Sequence, residues 1–300
     1  MANETTSTTL ANIINSEVLG IEIQESIKSA SVMWPLMTTR DISGENTLVA
    51  SFPKFAGFTA ASVAEDAAGT NQASTLTEAT VTCTESQVTV YVSKPASRAA
   101  MPYYKAALAK EIARALSDYR DNAAAALLGG FSNTVSDTTN PLTFAMMTTA
   151  VTTLNLLAKG STGDAVFVLY PEQIGDLRAT VFDATTGLSV ANNRTDLINF
   201  LGGPDTVSPD AGVLKAYQGD FQGIPIFSSS NVPTATAGAD SAGAIFLRSG
   251  ALCGATCWEP ELEIASCVAN AKSGQQWLGN QCFGVAEYND SYGVSIISDR

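Results

Sequence analysis

The chain has 300 residues, a mass of 31.2 kDa, 16 basic and 29 acidic residues, a net charge of −13 and no histidine. A strongly acidic chain is a poor candidate for tight binding to a phosphate backbone, which needs clustered lysine and arginine. The lack of histidine excludes a histidine general base, a histidine-activated nucleophile and histidine metal ligands.

The composition is that of a globular protein with a surface poor in charge. Apolar residues make up 45% of the chain and charged residues only 15%, against a usual value of about 25%. The first ten residues lack the basic and apolar regions of a signal peptide. Since no stretch approaches the ~20 apolar residues of a membrane span, we expect a chain that is made in the cytosol and binds no membrane.

The first predicted element is an amphipathic arm, residues 1–46. Apolar residues recur there at spacings of three and four, which favours a short helix, or a helix followed by an extended segment. Trp34-Pro35 should end the helix, because the residue before a proline avoids the helical region.

Residues 47–94 are predicted to form a long hairpin. One strand is TLVASFPKF, Thr47 to Phe55, and the other is TVTCTESQVTVYV, Thr80 to Val92, where apolar and polar residues alternate. The segment between them is small and polar, and it is long for a loop inside a compact domain. We therefore expect the hairpin to project and its tip to pack on another molecule.

Residues 102–128 give the clearest helical pattern, with apolar residues stepping by three and four and Gly129-Gly130 beyond the end. Such a helix would be about 40 Å long. Its cations are either an ordinary solvated face or a surface that touches nucleic acid weakly. The four that we single out are Lys105, Lys110, Arg114 and Arg120.

Residues 141–267 read as an α/β unit. The pattern predicts a helix from Pro141 to Leu157, a buried strand from Ala165 to Tyr170 and a second helix from Pro171 to Phe182. Strands are predicted at GIPIFSSS and GAIFLRS. The later segments WEPELEIA and GVSIISD also resemble strands.

The sequence contains no motif that would carry catalysis. It has no dinucleotide-binding glycine loop, P-loop, nucleophile elbow or EF-hand loop. We therefore expect no catalytic, cofactor or metal-binding residues. The spacing of the five cysteines matches no standard zinc module, so the alternatives are free buried thiols, the simpler one, or an oxidised pair. These cysteines are Cys83, Cys253, Cys257, Cys267 and Cys282.

Two acidic groups allow more than one interpretation. Glu259, Glu261 and Glu263 alternate along one strand face, which is either a solvated or interface surface or a calcium or acid–base cluster. Glu65 and Asp66 at the hairpin tip either keep the tip hydrated or pair with a cation on a neighbouring chain.

The order of these elements resembles the major capsid proteins of tailed bacteriophages, which have the Hong Kong 97-type fold. The segments FPKFAGFTAASVAEDA and TESQVTVYVSK are similar to the hairpin of that family. ALAKEIARALSDYRDNAAAALLGG is similar to its spine helix, and VLYPEQIGDLR and YNDSYGVSIISD to its later elements. The resemblance covers essentially the whole chain.

The resemblance implies an α+β subunit, not an enzyme, that assembles as pentamers and hexamers into an icosahedral shell around double-stranded DNA. It would be made and assembled in the host bacterial cytoplasm and reside in the virion. Its parts would be the N-terminal arm (1–46), the extended loop (47–94), the spine helix and peripheral domain (95–140), the axial domain (141–267) and C-terminal strands returning to the peripheral domain (268–300).

The same resemblance implies the partners and contact residues. Besides further copies of the chain, we expect a separate scaffolding protein, a portal, a decoration protein and weak contact with packaged DNA. The four helix cations would face the lumen. Lys54 lies in the first hairpin strand and not at the tip, so we expect no Lys–Asn crosslinks. Subunit contacts are expected at Ile13, Ile14, Val18, Phe52, Phe55, Phe58, Glu65 and Asp66, with packing inside one chain as the alternative for each.

Three other functions compete with a phage shell. An encapsulin-like compartment shares the fold but needs a cargo-docking groove. A secreted surface or binding module would need a secretion signal. An enzyme that uses carboxylates alone, such as a glycosidase, would need paired acids that the sequence does not bring together.

Overall fold

The computed structural model describes residues 31–94 apart from 56, 64, 67, 74 and 75, and residues 104–160, 162–182, 216–235, 238, 240–266 and 274–299. The predicted contact residues Ile13, Ile14 and Val18 and the fifth cysteine, Cys267, lie outside the described residues.

Strands dominate the described part of the chain, and three α-helices lie between them. In chain order the elements are β1 (Thr38–Asp41), β2 (Val49–Phe55), β3 (Leu76–Thr82), β4 (Thr84–Ser93), α1 (Tyr104–Ala125), β5 (Thr134–Asp137), α2 (Phe144–Leu157), β6 (Ala165–Leu169), α3 (Pro171–Phe182), β7 (Tyr217–Phe221), β8 (Ile224–Ser228), β9 (Thr234–Ala235), β10 (Asp240–Leu247), β11 (Leu252–Ser266), β12 (Gly274–Glu287) and β13 (Gly293–Asp299).

The larger sheet has the order β5-β13-β10-β6-β8-β7, with β9 paired to β10. Every residue of β6 and β10 is buried, because apolar layers cover both faces of these strands. Leu154 of α2 and Leu177 of α3 pack in the layer on one face, and Ala124 of α1 packs in the layer on the other. Burial on both faces explains why β6 is a continuous apolar run, AVFVL.

The smaller sheet has the order β1-β11-β12-β4. Helix α1 packs on the part of this sheet that is formed by β4, β12 and the C-terminal end of β11. Ile112 and Leu116 of α1 meet Trp277 of β12 and Val92 of β4. Gly279 permits this approach, since a methyl group there would overlap the Ile112 side chain. The 22 residues of α1 make it about 33 Å long. It ends before the predicted C-terminal boundary, because residues 126 and 127 form a turn, and residues 102 and 103 of the predicted helix lie outside the described residues.

The predicted second hairpin strand is in fact two strands with different partners. β3 pairs with β2 and forms the hairpin, whereas β4 pairs with β12 at the edge of the smaller sheet. The chain changes partner strand at Cys83. The buried thiol of Cys83 donates to the Ala255 carbonyl, and its backbone N–H donates to the Leu48 carbonyl. Val81 and Cys83 stand at odd positions and Val88, Val90 and Val92 at even positions. This change of phase is the sequence signal that the prediction of one strand overlooked.

Strand pairing also divides the C-terminal part differently from the predicted boundaries. β11 was assigned with the α/β unit 141–267, but it pairs with β1 and β12 in the smaller sheet. β13 was assigned with β12, but it lies between β5 and β10 in the larger sheet. These memberships depend on pairing between distant segments, which the period of a strand does not reveal.

Most of the predicted helices and strands after residue 141 coincide with observed elements. α3 begins at Pro171 and ends at Phe182, as its sequence predicted. β6, β8, β10 and β13 coincide with the predicted strands to within a few residues. α2 begins at Phe144 rather than Pro141, because Thr143 is its N-cap and accepts a hydrogen bond from the Met146 backbone N–H.

Candidate assembly surface

The base of the β2–β3 hairpin is fixed to the body of the protein. Ala50, Phe52 and Val81 are buried in a cluster with residues of β11 and β12. The Phe52 ring lies 6.0 Å from the Tyr288 ring, and the Tyr288 hydroxyl donates to the Pro53 carbonyl at 2.6 Å. Lys54 Nζ donates to the Asn289 side chain at 2.6 Å. These contacts set the direction in which the hairpin leaves the body.

The outer half of the hairpin exposes large apolar side chains. Phe55 is 69% exposed and its register partner Leu76 is 57% exposed. Phe58 and Val63, in the segment beyond the strands, are 63% and 52% exposed. Scattered single apolar residues are normal on a protein surface, but four on one projecting element form a candidate contact surface. We call these four residues the hairpin apolar surface.

The segment beyond the strands is closed on itself by one side chain. The Thr59 backbone N–H donates to the Gln72 side-chain oxygen at 3.0 Å, and the Gln72 side-chain nitrogen donates to the Thr59 carbonyl. Glu65 and Asp66 are exposed in a turn between these two residues. The tip therefore has a defined base and carries negative charge at its end.

The structure separates the predicted hairpin contact residues into two groups. Phe52 is only 7% exposed and packs within the chain, which is the alternative that the sequence left open for this residue. Phe55, Phe58, Glu65 and Asp66 are exposed. The analysis of the sequence missed Val63 and Leu76, although Leu76 stands opposite Phe55 and the assignment of β3 from residue 76 would have identified it.

Three of the four predicted helix cations lie toward solvent. Lys110 and Arg114 are exposed and Lys105 is half-buried. Arg114 lies 3.8 Å from Glu111 and 3.7 Å from Asp118 on the same helix. Exposed pairs at this distance contribute little to stability, but they leave a face of mixed charge rather than a dense basic patch.

Arg120 is buried, so it does not belong to the solvated face that was predicted for the helix cations. Its guanidinium lies 4.6 Å from the centroid of the Trp34 ring, and the Trp34 ring meets Phe283 edge-on at 6.2 Å. Burial lowers the pKa of Arg120, while Glu259 and Asp121 act in the opposite direction. This contact joins the start of the described chain to α1 and the smaller sheet.

Asp121 fixes the same region by hydrogen bonding. Its carboxylate accepts from the Ser31 hydroxyl at 2.5 Å and from the backbone N–H groups of Val32 and Met33 at 2.7 and 3.3 Å. Burial raises the pKa of Asp121, and the three hydrogen bonds oppose that effect. Residues 31–33 of the predicted arm are therefore anchored to α1 through a buried carboxylate.

The remaining candidates for chemistry are dispersed. Within the described ranges, no group of three or more Cys, Asp or Glu side chains is arranged to hold a metal ion. Glu259, Glu261 and Glu263 are exposed, whereas Leu262 and Ile264, which alternate with Glu261 and Glu263, pack toward α1. None of the described helices is long and apolar enough to cross a membrane.

Comparison by sequence finds no match: neither a family model nor a curated protein is similar to this chain. Comparison by structure finds similar chains. The chain is similar to a chain in the capsid structure of the cyanophage P-SCSP1u, with a TM-score of 0.66 and 14% identity over 91% of this chain and 89% of that one. The chain is also similar to a structure of Mycobacterium phage Che8, with a TM-score of 0.64 and 16% identity over 89% of this chain and 90% of that one.

A virus-like particle from Pyrococcus furiosus is also similar, with a TM-score of 0.59 and 11% identity over 94% of this chain and 99% of that one. At these identities the likeness concerns the fold. The chain has the Hong Kong 97-type fold of tailed-phage capsid proteins, as the order of its elements predicted.

Proposed function

We propose that this chain is the major capsid protein of a tailed bacteriophage and assembles into the icosahedral shell that encloses a double-stranded DNA genome. The observation that carries this proposal is the hairpin apolar surface, Phe55, Phe58, Val63 and Leu76, on an element that projects from a body of capsid fold. The similar structures come from capsids and particles, and this supports a structural role rather than catalysis.

The physical argument concerns where the hairpin finds its stability. A two-stranded hairpin is marginal on its own in water, and only its base packs against the body. Fully burying a phenylalanine or leucine gains about 1.5–3 kcal/mol, so covering the four exposed residues on a neighbouring subunit is favourable. When such contacts are repeated around closed symmetry axes, many individually weak interactions together stabilise the shell.

The division of labour in the subunit follows from the two sheets. The larger sheet with α2 and α3 would be the axial domain, whose loops meet at the centres of pentamers and hexamers. The smaller sheet with α1 would be the peripheral domain, and residues 1–46 the arm. The hairpin of β2 and β3 would be the extended loop lying on the next subunit.

Other partners follow from the same function. A scaffolding protein, a portal and a decoration protein would complete the particle, which would assemble in the cytoplasm of the bacterial host. The net charge of −13 and the mixed charge of Lys110, Arg114, Glu111 and Asp118 on α1 support only weak contact with packaged DNA. Lys54 donates to Asn289 in its own chain, which supports a shell without Lys–Asn crosslinks.

An encapsulin-like compartment is the second candidate function, because the particle from Pyrococcus furiosus matches over nearly its full length. The contents of purified particles distinguish the two functions. Particles from infected cells that hold a genome-length DNA support the phage shell. Particles that hold a cargo protein and no such DNA support the compartment.

The central test replaces part of the hairpin apolar surface. Because Phe55 and Phe58 are both more than 60% exposed, we expect Phe55→Ser with Phe58→Ser to give a subunit that melts like the wild type but forms no closed shells in electron micrographs. The matched control, Phe55→Leu with Phe58→Leu, keeps the apolar character and should still assemble. Normal shells from the double serine variant would contradict the proposed role of the hairpin.

A further inference from the structure

Three thiols meet where the chain leaves the hairpin and enters the smaller sheet. Cys83, Cys257 and Cys282 belong to one apolar cluster, in which Cys83 and Cys282 are buried and Cys257 is half-buried. Cys83 lies between β3 and β4, Cys257 on β11 and Cys282 on β12. Cys257 and Cys282 lie on consecutive strands, whereas Cys83 is distant from both in sequence and is brought to them by the fold.

An irregularity in strand pairing brings Cys257 next to Cys282. Thr256 pairs with Phe283 and Trp258 pairs with Cys282, which leaves Cys257 as the extra residue of a β-bulge. In a bulge, two residues of one strand oppose a single residue of the other. Opposed residues in an antiparallel pair have Cα atoms about 4.5–5.5 Å apart, within the ~4.4–6.8 Å that a disulfide spans.

The contacts of the thiols distinguish this pair from the others. The bulge places Cys257 and Cys282 opposite each other on adjacent strands. The Cys83 thiol donates instead to the Ala255 carbonyl at 3.5 Å, and the Cys253 thiol donates to the Ala286 carbonyl at 3.4 Å. Of the cysteines that the structure describes, Cys257 and Cys282 are therefore the two that adjacent strands place in opposition within one cluster.

We propose that Cys257 and Cys282 are a redox-modification site, at which a small-molecule disulfide such as oxidised glutathione converts the two thiols into an intrachain disulfide between β11 and β12. Cys257 is the residue that the oxidant reaches first, because it is half-buried whereas Cys282 is buried. Cys282 then closes the bond from inside the sheet.

The chemistry balances in two exchange steps. The Cys257 thiol loses its proton to solvent, and the thiolate attacks one sulfur of the oxidant, which releases one glutathione thiolate and leaves a mixed disulfide. The Cys282 thiol then loses its proton, and its thiolate attacks the Cys257 sulfur and releases the second glutathione. The two cysteines lose two electrons in total, and the oxidant is reduced to two thiols.

The second step should be the slower one. Burial, followed by the nearby thiols of Cys257 and Cys83, raises the pKa of Cys282 to about 12. Below that pH the thiolate fraction rises about tenfold for each unit of pH, so closure of the bond should accelerate with pH. Thiols of this kind stay reduced in a glutathione-buffered cytosol. If the chain forms a phage shell, we therefore expect the bond to form after the shell leaves the cell; this timing rests on the proposed function, whereas the bond itself does not.

The test treats the folded full-length chain with oxidised glutathione at several pH values and maps the products without reduction. We expect the intact mass to fall by two hydrogens, two of the five thiols to become unreactive, and one crosslinked peptide to join Cys257 to Cys282. A mixed disulfide that persists on Cys257, a bridge that involves Cys83, a bridge between two chains, or five thiols still reactive would each overturn the proposal.

Three variants give an independent readout. Cys257→Ser and Cys282→Ser should each prevent the loss of two hydrogens, while Cys83→Ser should leave it unchanged. If a serine at a buried position prevents folding, peptide mapping of the wild-type chain still decides the question. Because shell formation is scored separately by microscopy, a failed bridge in well-formed shells would overturn this inference and leave the proposed function standing.

Discussion

The larger sheet and the β2–β3 hairpin use the same kinds of side chain with different results. In β6 and β10 every residue is buried by layers from the same chain. In the hairpin, alternate burial ends at Phe52, and Phe55 and Leu76 beyond it are mostly exposed. The difference teaches that apolar residues serve folding where the chain supplies a second layer and are available for assembly where it does not.

The largest effect should come from truncating a core phenylalanine. Phe246→Ala on β10 removes a fully buried ring and should lower the free energy of unfolding by about 3–5 kcal/mol. Phe55→Ala in the hairpin should change it by less than about 0.5 kcal/mol. Guanidinium unfolding of unassembled subunits measures both values. Equal losses in the two variants would show that the hairpin is packed as tightly as the core.

Glycine positions give a second, smaller contrast. A methyl group at Gly279 would overlap Ile112 of α1, whereas the space around Gly57 in the hairpin is open. Gly279→Ala should therefore lower the free energy of unfolding by about 1–3 kcal/mol through overpacking. Gly57→Ala is the matched control and should stay within about 0.5 kcal/mol of the wild type. A neutral Gly279→Ala would mean that α1 lies farther from β12 than the structure has it.

Sequence reasoning succeeded where the determinant is local. The proline and acid at the start of α3 and the apolar run of β6 predicted those elements almost to the residue. Sequence reasoning failed where pairing between segments distant in sequence determines the position of a strand. The partner change at Cys83 and the position of β13 in the larger sheet depend on segments far away in sequence. Arg120 was predicted to be exposed because its helical spacing does not reveal that Trp34 covers it.

The candidate surface was predictable only in part for the same reason. Phe52 and Phe55 lie three residues apart on one strand, yet one packs on Tyr288 and the other is exposed. An odd separation on a strand puts the two rings on opposite faces, and the face of Ala50 and Phe52 is the one that packs on β11 and β12. The alternation in the sequence therefore separates the two faces but does not show which of them packs on the body.

The pH dependence of stability tests the buried anchor at the start of the described chain. Burial raises the pKa of Asp121 in the folded chain above its usual value of 3.8. At a pH between the usual pKa and the raised pKa, the folded chain therefore binds more protons than the unfolded chain. Stability from this group should fall as the pH rises through that window, with a slope of at most about 1.4 kcal/mol per pH unit.

Urea unfolding at a series of pH values measures this slope, and Asp121→Asn should remove the contribution. Asp137→Asn is the control of opposite sign. Hydrogen bonds from Asn140 and Thr139 lower the pKa of Asp137, so its contribution is lost only as the pH falls below 3.8. An unchanged slope above pH 3.8 in Asp121→Asn would show that the carboxylate is solvated and that the arm is not anchored there.

The smallest effect concerns the junction between the packed and exposed halves of the hairpin. Tyr288→Phe removes the hydroxyl that donates to the Pro53 carbonyl but keeps the ring against Phe52. A single hydrogen bond at a partly exposed site contributes about 0.5 kcal/mol, so amide hydrogen exchange in β2 and β3 should accelerate about twofold while exchange in β10 stays unchanged. Tyr119→Phe on α1 is the control and should leave exchange in the hairpin as it is. Acceleration throughout the chain would mean that the hairpin base unfolds together with the core, and the two regions would then be one cooperative unit rather than a rigid body and a separately anchored projection.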